Sequence, residues 1–206
     1  MERLVIFTRY PEPGKTKTRL IPALGAEGAA NLQRQMTEYT LKQAQKLLEF
    51  RSLSVEIHFS GGTEELMRSW LGSEWVYFPQ AVGDLGERIR TAFEKGFSEE
   101  MRRIVIIGID CPDLDGDRLS QAFESLYSHD LVLGEADDGG YYLVGLSRNI
   151  PQLFQDINWG TSQVWHQTIA ISESLGLAIA KLPVLSDVDY PEDLQIWERV
   201  KGKDKI

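Results

Sequence analysis

The stretch that most constrains the fold is an apolar run in the middle of the chain, Ile104 to Ile109, interrupted only by Gly108. A continuous β-branched run of this kind is typical of a strand that is buried on both faces of a parallel sheet. The run stops at Asp110, and a second acid, Asp113, follows. In open α/β sheets, ligands bind outside the carboxyl ends of the strands, where carboxylates suit Mg²⁺ or Mn²⁺. The same acids could instead form a turn and cap the next helix.

Strand-like and helical patterns alternate along the rest of the chain, which indicates an α/β fold with a largely parallel sheet. The predicted strands are 4–8, 54–59, 75–78, 104–109, 130–134, 141–145 and 179–182, and the predicted helices are 26–50, 64–71, 83–96, 118–127, 161–175 and 191–200. The strands 130–134 and 141–145 are too close for a crossover helix, so this pair is expected to be antiparallel or to split the sheet. We expect one domain, residues 1–200, and a frayed tail, residues 201–206.

Composition excludes several classes of protein. The 206 residues carry a net charge of −9, which argues against a general binder of nucleic acid polymers, although a local basic loop could still hold a nucleotide. The single cysteine, Cys111, cannot form an internal disulfide, which fits a reducing compartment. We find neither a secretory leader nor an apolar segment that is long enough to span a membrane. A soluble cytoplasmic protein is therefore expected, and its oligomeric state is not readable.

Four basic side chains cluster in the loop after the first predicted strand: Arg9, Lys15, Lys17 and Arg19. Cations in this position could neutralise a di- or triphosphate, and Gly14 lets the backbone approach a ligand closely. The tripeptide that begins at Gly14 resembles the end of a P-loop, but that motif requires a glycine at position 9, where this chain has arginine. The alternative interpretation is a solvated basic turn.

A second candidate segment is GEADDGGYYLVGL, residues 134–146, in which two acids precede two glycines. Asp137 or Asp138 could bind a hydroxylated substrate or approach a metal, and Gly139 and Gly140 leave the turn without side-chain bulk. The alternative is a hairpin turn, for which Asp-Gly is a strong signal. That alternative explains Asp138 and Gly139 but leaves the additional acid and glycine without a role.

Three further features have weaker signals. Gly83 and Asp84 precede a predicted helix and could shape a nucleotide-facing loop, or simply an ordinary strand–helix connection. In DVDYPED, residues 187–193, a helix start accounts for every acid except Asp187. Trp159 is the one tryptophan beside a loop-like motif, and the other tryptophans are expected in the core.

The segments FTRYPEPGKTKTRL, GDLGERI, GIDCPDL, EADDGGYYLVGL and DVDYPEDL occur in this order and cover nearly the whole chain. Together they resemble a bacterial transferase family of the GT-A superfamily, the radical-SAM/selenodomain-associated, glycosyltransferase-like transferases. More distantly, they are similar to molybdenum-cofactor guanylyltransferase and 2-phospho-lactate guanylyltransferase. The resemblance implies a three-layer α/β/α nucleotide-diphospho-sugar transferase fold (GT-A, Rossmann-like) with a mostly parallel mixed sheet. One departure is that Pro-Glu-Pro-Gly-Lys replaces the Gly-x-Gly-x-Arg core of many nucleotidyltransferases.

The resemblance also implies roles for the motifs: the basic loop would hold nucleotide phosphates, and the acid after the central strand would bind Mg²⁺ or Mn²⁺. The expected site residues are Lys17 and Asp138 for catalysis; Arg9, Gly14, Lys15, Lys17, Arg19, Gly83 and Asp84 for the nucleotide; Asp110 and Asp113 for the metal; and Asp137, Asp138, Gly139, Gly140 and Trp159 for the sugar or acceptor.

The expected activity is that of a metal-dependent transferase with a nucleotide-activated donor, in the first place a glycosyltransferase that transfers from a nucleotide-sugar to a small-molecule acceptor. One alternative is a nucleotidyltransferase that attacks the α-phosphorus of a nucleoside triphosphate and releases pyrophosphate. A second alternative is a nucleotide-binding protein without catalytic activity on the same fold.

Overall fold

A seven-stranded sheet forms the centre of the computed structural model, which describes residues 1–203. The strands are β1 (Glu2–Arg9), β2 (Ser54–Ser60), β3 (Val76–Pro79), β4 (Arg103–Ile107), β5 (Leu131–Ala136), β6 (Tyr141–Leu146) and β7 (Ile179–Leu185). Their order is β3-β2-β1-β4-β6-β5-β7, and β6 alone runs antiparallel to both of its neighbours. The predicted mostly parallel mixed sheet and the predicted antiparallel pair are both confirmed.

Helices cover the sheet on both faces. They are α1 (Ile21–Leu48), α2 (Glu64–Leu71), α3 (Leu85–Ser98), α4 (Gly116–Ser125), α5 (Val164–Ser174) and α6 (Leu194–Lys203). The first helix begins five residues before its predicted start, and Gly25, at a φ of 72°, interrupts its first turns. At the other end, α6 continues through residues 201–203, where we expected a frayed tail, and residues 204–206 lie outside the described part.

The alternation of side chains along the strands divides the core into two layers. In β1, Leu4 and Ile6 face the cluster that packs against α1 and α4, whereas Val5 and Phe7 face the cluster beneath α3 and α5. Burying each large apolar side chain contributes about 1.5–3 kcal/mol, so the two layers provide most of the driving force for folding. This arrangement is the predicted α/β/α architecture.

The sheet has two functionally distinct edges. We call the edge where the six parallel strands β1, β2, β3, β4, β5 and β7 end the carboxyl edge, and the edge where they begin the amino edge. Because β6 is antiparallel, the β5–β6 turn lies at the carboxyl edge together with the loops after β1 and β4. Among the helices within residues 1–203, none has the combination of length and apolarity needed to cross a membrane.

Candidate functional site

Several loops enclose an open cavity of about 600 Å³ at the carboxyl edge, which we call the outer cavity. Its charged lining consists of Asp110, Asp137, Asp138, Asp187, Asp189, Asp193 and Arg19, and its aromatic lining of Tyr141, Tyr142, Trp159 and Tyr190. The acids come from the loop after β4, the β5–β6 turn and the segment after β7. The fold thus collects in one place carboxylates that are far apart in the sequence.

Lys17 does not line the outer cavity but contacts two of its acids from the protein interior. Its side chain is only 4% exposed, and its Nζ donates to Asp110 Oδ1 at 2.7 Å and to the Val188 carbonyl at 2.7 Å. Asp189 Oδ1 lies 3.6 Å from the same nitrogen. Burial by itself lowers the pKa of Lys17, but the charge and hydrogen bond of Asp110 and the charges of Asp189 and Asp187 leave that pKa raised. Lys17 is therefore a permanent cation inside an acidic site.

The backbone of Lys17 is left-handed, with φ 43° and ψ 47°. A non-glycine residue in this region is strained by about 1–2 kcal/mol, and such strain is concentrated at functional sites. The bonds to Asp110 and Val188 hold the residue in this conformation. The strained backbone therefore indicates that the turn before the short helix Thr18–Leu20 is a specific feature of the site.

The carboxylates crowd one another. The pKa of Asp187 rises to about 7 because of burial, the charges of Asp189 and Asp138, and a hydrogen bond shared with Asp137. The pKa of Asp189 is also raised, by burial and by the charge of Asp110, although Lys17 and Arg19 partly oppose this. The outer cavity therefore attracts cations.

The donor chemistry of this cluster fits a hard divalent cation. Carboxylate oxygens are the ligands that Mg²⁺ and Mn²⁺ prefer, and an additional cation would relieve the repulsion that raises the pKa of Asp189. Within residues 1–203, however, no three His, Cys, Asp or Glu side chains form a ready metal-binding group. Asp110 and Asp189, which both contact Lys17, are the best-placed candidate ligands.

Asp113 is not part of the cavity lining. Its carboxylate forms an ion pair with Arg199 of α6, and its carbonyl accepts a hydrogen bond from Arg118 at 3.1 Å. The structure therefore does not bring Asp113 together with Asp110 in the way that we expected for a metal site. Instead, Asp113 attaches α6 to the loop after β4.

The basic loop is divided between the interior and the surface. Arg19 Nη1 donates to Asp189 Oδ2 at 3.0 Å, and Arg9 Nη1 donates to the Lys15 carbonyl at 2.8 Å. Lys15 itself points outward, because it is 68% exposed and pairs with Glu12. Gly14, at a φ of 79°, forms the turn but lines no cavity. The loop thus supplies the site with Arg9, Lys17 and Arg19.

A smaller cavity of about 300 Å³ adjoins the outer one, and we call it the inner cavity. Phe7, Leu85, Ile89 and Ile106 form apolar walls, and Arg9, Gln33, Ser60 and Gln80 supply polar groups. Gly108, Asp110, Leu85, Tyr141 and Tyr142 line both cavities. A Cβ atom at Gly108 would meet no atom within 4 Å, so the end of β4 opens directly onto this space. A flat apolar group could enter the inner cavity while its charged end stays near Lys17.

Two adjacent tyrosines at the start of β6 differ in their hydrogen bonding. Tyr142 Oη donates to the Pro183 carbonyl at 3.0 Å, whereas Tyr141 Oη is buried without a partner. Burial raises the pKa of Tyr141 strongly, so this hydroxyl stays protonated. A buried hydroxyl without a partner is rare and marks a position that packing alone does not explain.

The loop before α3 has a structural role in this structure. Asp84 Oδ1 accepts a hydrogen bond from the Glu87 amide at 2.9 Å, and Glu87 Oε2 accepts one from the Asp84 amide, which completes a capping box. The Gly83 carbonyl accepts a hydrogen bond from Arg88. Gly83 and Asp84 line neither cavity, and of this loop only Leu85 reaches them.

The predicted acceptor residues lie along one wall of the outer cavity. Trp159 contacts Tyr141 edge to face at 6.1 Å and packs against α3, where a Cβ atom at Gly86 would lie 2.3 Å from the indole nitrogen. Gly139, at a φ of 88°, is required by its close contact with the backbone of Ser162. Asp138 Oδ1 accepts a hydrogen bond from the Gly140 amide at 2.8 Å, so this acid also shapes the turn.

Sequence reasoning missed several residues of the site. The sequence favours a helix cap for Asp189 and leaves open whether Asp187 or Asp189 joins a metal site, and it places Gly108 within a strand. Two signals in the sequence point to these residues. Asp187, which no capping role explains, lies two positions before Asp189, and Gly108 lies near the end of a buried strand. The hydroxyl of Tyr141 had no signal, because its missing partner is visible only in three dimensions.

Comparisons with known proteins agree with this architecture. Residues 40–161 match the family described as "Uncharacterized protein conserved in bacteria (DUF2064)". A crystal structure of a candidate nucleotide-diphospho-sugar transferase from Desulfovibrio desulfuricans G20 is 32% identical, covers 96% of this chain and 86% of its own, and superposes with a TM-score of 0.87. No curated protein matches the chain.

Two more distant structures share the fold. CMP:2-keto-3-deoxy-manno-octonic acid synthetase complexed with CTP is 10% identical, with a TM-score of 0.60 and coverage of 98% of this chain and 99% of that one. Rv0371C in complex with manganese, from Mycobacterium tuberculosis H37Rv, is 19% identical, with a TM-score of 0.54 and coverage of 97% and 96%. The predicted resemblance is confirmed: the chain belongs to the bacterial DUF2064 family and has the nucleotide-diphospho-sugar transferase fold.

Proposed function

We propose that this protein is a divalent-metal-dependent transferase that transfers a sugar from a nucleotide-sugar donor to a small-molecule acceptor. The observation that carries the proposal is the ion pair between buried Lys17 and half-exposed Asp110, the acid that lines both the apolar and the acidic cavity. The similar protein from Desulfovibrio desulfuricans G20, described as a candidate nucleotide-diphospho-sugar transferase, supports it.

The two cavities suggest how the donor lies. The inner cavity takes the nucleobase against Phe7 and Ile89, because its apolar walls and its volume of about 300 Å³ suit a flat heterocycle. The diphosphate then lies over Gly108, within reach of Lys17 and the loop arginines. The sugar and the acceptor occupy the outer cavity beside Asp138 and Trp159.

The charges of the site would act on the leaving nucleoside diphosphate. Mg²⁺ or Mn²⁺, held by Asp110 and Asp189, would neutralise negative charge on the diphosphate. Lys17 remains protonated because its partners raise its pKa, and its buried position makes its charge effective at short range. Arg9 and Arg19 hold the phosphates at the rim. Asp138 accepts the proton of the acceptor hydroxyl, since it lies in the cavity at the exposed turn.

A second candidate function is nucleotidyl transfer, and one observation favours it. The loop from Arg9 to Arg19 carries four basic side chains, of which Lys15 is exposed and engaged only with Glu12. That is more positive charge than a diphosphate requires and would suit a triphosphate.

Thermal unfolding tests the proposal against a panel of nucleoside triphosphates, diphosphates and nucleotide-sugars, each with Mg²⁺, Mn²⁺ or chelator. A ligand at about 100 times its Kd stabilises the folded state by roughly 2.7 kcal/mol, which is a shift of several degrees for a domain of this size. We expect a nucleotide-sugar to shift the Tm only with metal, and Asp110→Asn to abolish that shift.

Asp113→Asn is the matched control, because it removes an identical charge from the same loop outside the cavity. It is expected to lower the Tm of the free protein slightly and to keep the ligand-induced shift. Equal shifts in wild type and Asp110→Asn would overturn the proposed site. Slow hydrolysis of the bound nucleotide-sugar would support sugar transfer, whereas exchange of pyrophosphate into a triphosphate would establish the second candidate. Metal-dependent binding without any turnover would indicate a nucleotide-binding protein that is not an enzyme.

A further inference from the structure

A third cavity, of about 640 Å³, lies at the amino edge of the sheet, on the side opposite the candidate active site. It is bounded by the starts of β4 and β5 and by the residues that follow β6. Because β4 has five residues at about 3.3 Å each, the two edges are roughly 16 Å apart. The amino-edge cavity therefore shares no residue with the inner or outer cavity.

The charged lining of this cavity is predominantly positive, although the chain as a whole is acidic. Three arginines, Arg102, Arg103 and Arg148, line it together with a single acid, Asp130. That acid is already satisfied, because Arg148 Nε donates to it at 2.9 Å and the Ala178 amide at 3.0 Å. Arg102 is exposed and forms no ion pair with any residue of the described range 1–203. A surplus of positive charge thus remains at the mouth of the cavity.

Arg103 is held in a fixed orientation. Its guanidinium lies 3.4 Å from the centre of the Tyr127 ring, and its Nε donates to the Leu126 carbonyl at 3.2 Å. Its Nη1 donates to Glu2 at 3.4 Å, a longer contact than the 2.6 and 3.0 Å that Glu2 makes with Arg51, which also pairs with Glu124. A stacked guanidinium whose ion pair is long is preorganised for a planar or tetrahedral anion.

Apolar side chains complete the cavity. Phe97 and Met101, which are partly buried, line it beside the arginines, and Tyr127 is 61% exposed. The volume lies in the range of small-molecule pockets, about 300–1,000 Å³. A concave space with cations on one side and apolar groups on the other suits a small organic anion better than a flat protein surface.

We propose that the amino-edge cavity binds a small phosphorylated organic molecule, with Arg102 and Arg103 on the phosphate and Phe97 and Met101 against the organic part. This site is separate from the nucleotide site proposed above and does not depend on the transferase activity. Inorganic phosphate presents the same anionic chemistry, so the experiment has to distinguish the two sources.

Isothermal titration of the full chain with phenyl phosphate, pyrophosphate and inorganic phosphate, in chelator, tests the proposal. We expect phenyl phosphate to bind wild type and to bind Arg102→Ala at least tenfold more weakly, since a hydrogen bond between charged groups contributes about 1.5–3 kcal/mol. Arg103→Lys keeps the positive charge but loses the planar guanidinium that stacks on Tyr127, and it is also expected to weaken the binding of phenyl phosphate. Arg34→Ala, which removes an arginine on α1 far from this edge, is expected to bind like wild type.

Asp110→Asn separates this proposal from the proposed function, because it removes the carboxyl-edge acid and is expected to keep the binding of phenyl phosphate. If inorganic phosphate binds more tightly than phenyl phosphate, the cavity is an anion site whose ligand is free phosphate, and the part of the proposal that concerns an organic group is wrong. The proposal is overturned if none of the three probes binds wild type at millimolar concentration, or if Arg34→Ala weakens binding as much as Arg102→Ala does. Binding of an acidic peptide without binding of any phosphate probe would overturn it in favour of a protein partner.

Discussion

The carboxyl and amino edges of the sheet are opposite in charge, yet they are built in the same way. At the carboxyl edge one buried cation, Lys17, lies among acids, and at the amino edge one buried acid, Glu2, lies between Arg51 and Arg103. In each case the buried side chain neutralises part of a cluster of opposite charge. Other members of the cluster line a cavity, Asp110 at the carboxyl edge and Arg103 at the amino edge. The comparison teaches that one buried charge can hold together a cluster of the opposite sign at each edge of the sheet.

The largest expected effect comes from removing the buried cation. Lys17→Met leaves Asp110 without its cation and Asp189 with Arg19 alone. Because Asp110 is half exposed and can be hydrated, the expected cost is about 3 kcal/mol, at the lower end for a buried pair. The loss in the free energy of unfolding is expected at pH 8 and is smaller at pH 5, where the crowded acids take up protons. Chemical denaturation at both pH values measures it, with the exposed Lys15→Met as control. A Lys17→Met protein as stable as wild type at pH 8 would contradict the comparison.

The corresponding change at the amino edge is Glu2→Gln. It is expected to lower the free energy of unfolding by about 2 kcal/mol, because the glutamine can still accept hydrogen bonds from the arginines but no longer carries a charge. The arginines around Glu2 are partly exposed and can be hydrated. The same variant is expected to bind phenyl phosphate a few-fold more tightly, since Arg103 loses its competing acid. Denaturation and titration on one sample measure both effects, and weaker phosphate binding would argue against the amino-edge site.

The two edges also differ in the sign of their pH dependence. Asp187 has a folded-state pKa of about 7, above its value in the unfolded chain, so the folded state binds more protons between about pH 4 and 7. Stability is therefore expected to fall as the pH rises through that window, by on the order of 1 kcal/mol after allowance for solvent screening. Asp187→Asn should flatten the slope, which denaturation curves at half-unit pH steps would show.

Asp130 provides the control for this prediction, because its pKa is lowered by the Ala178 amide and by Arg148. A lowered pKa contributes stability above the unfolded-state value that is lost as the pH falls through the folded-state pKa. Asp130→Asn should consequently lower the stability by a constant amount above about pH 4 and change the slope of the curve only below that pH. An unchanged slope between pH 5 and 7 in Asp187→Asn would contradict the assignment of the crowded acid.

The smallest expected effect separates the two tyrosines of β6. Tyr142→Phe should lower the free energy of unfolding by about 1 kcal/mol, because it removes the hydrogen bond to the Pro183 carbonyl. Tyr141→Phe should be neutral or slightly stabilising, because the hydroxyl that it removes has no partner. Urea denaturation of both variants beside wild type measures the difference. A larger loss in Tyr141→Phe would mean that its hydroxyl has a partner, such as an ordered water.

Much of the fold could be predicted from the sequence, since local patterns determine strands and helices. The central strand that leads to Asp110 and the antiparallel β6 follow from a buried apolar run and from a connection too short for a helix. The partners across the site could not be predicted in the same way. Lys17 and Asp110 are 93 positions apart, and Asp113 and Arg199 are 86 apart, so only the packed chain shows that one acid faces the cavity and the other anchors α6. Asp84 illustrates the opposite case, because its capping box is local and accounts for it without a ligand.

The hydrogen bond from Lys17 to the Val188 carbonyl spans 171 positions of the sequence, and the Val188 amide in turn donates to the Asp110 carbonyl. Three distant segments must therefore dock before the acidic cavity exists at all. Ligand binding at this cavity is consequently a sensitive assay for correct folding, because a chain that has formed its sheet but has not docked residue 188 would lack the site. Contacts of such long range form late and slowly, which makes recovery of ligand binding the natural endpoint of a refolding experiment.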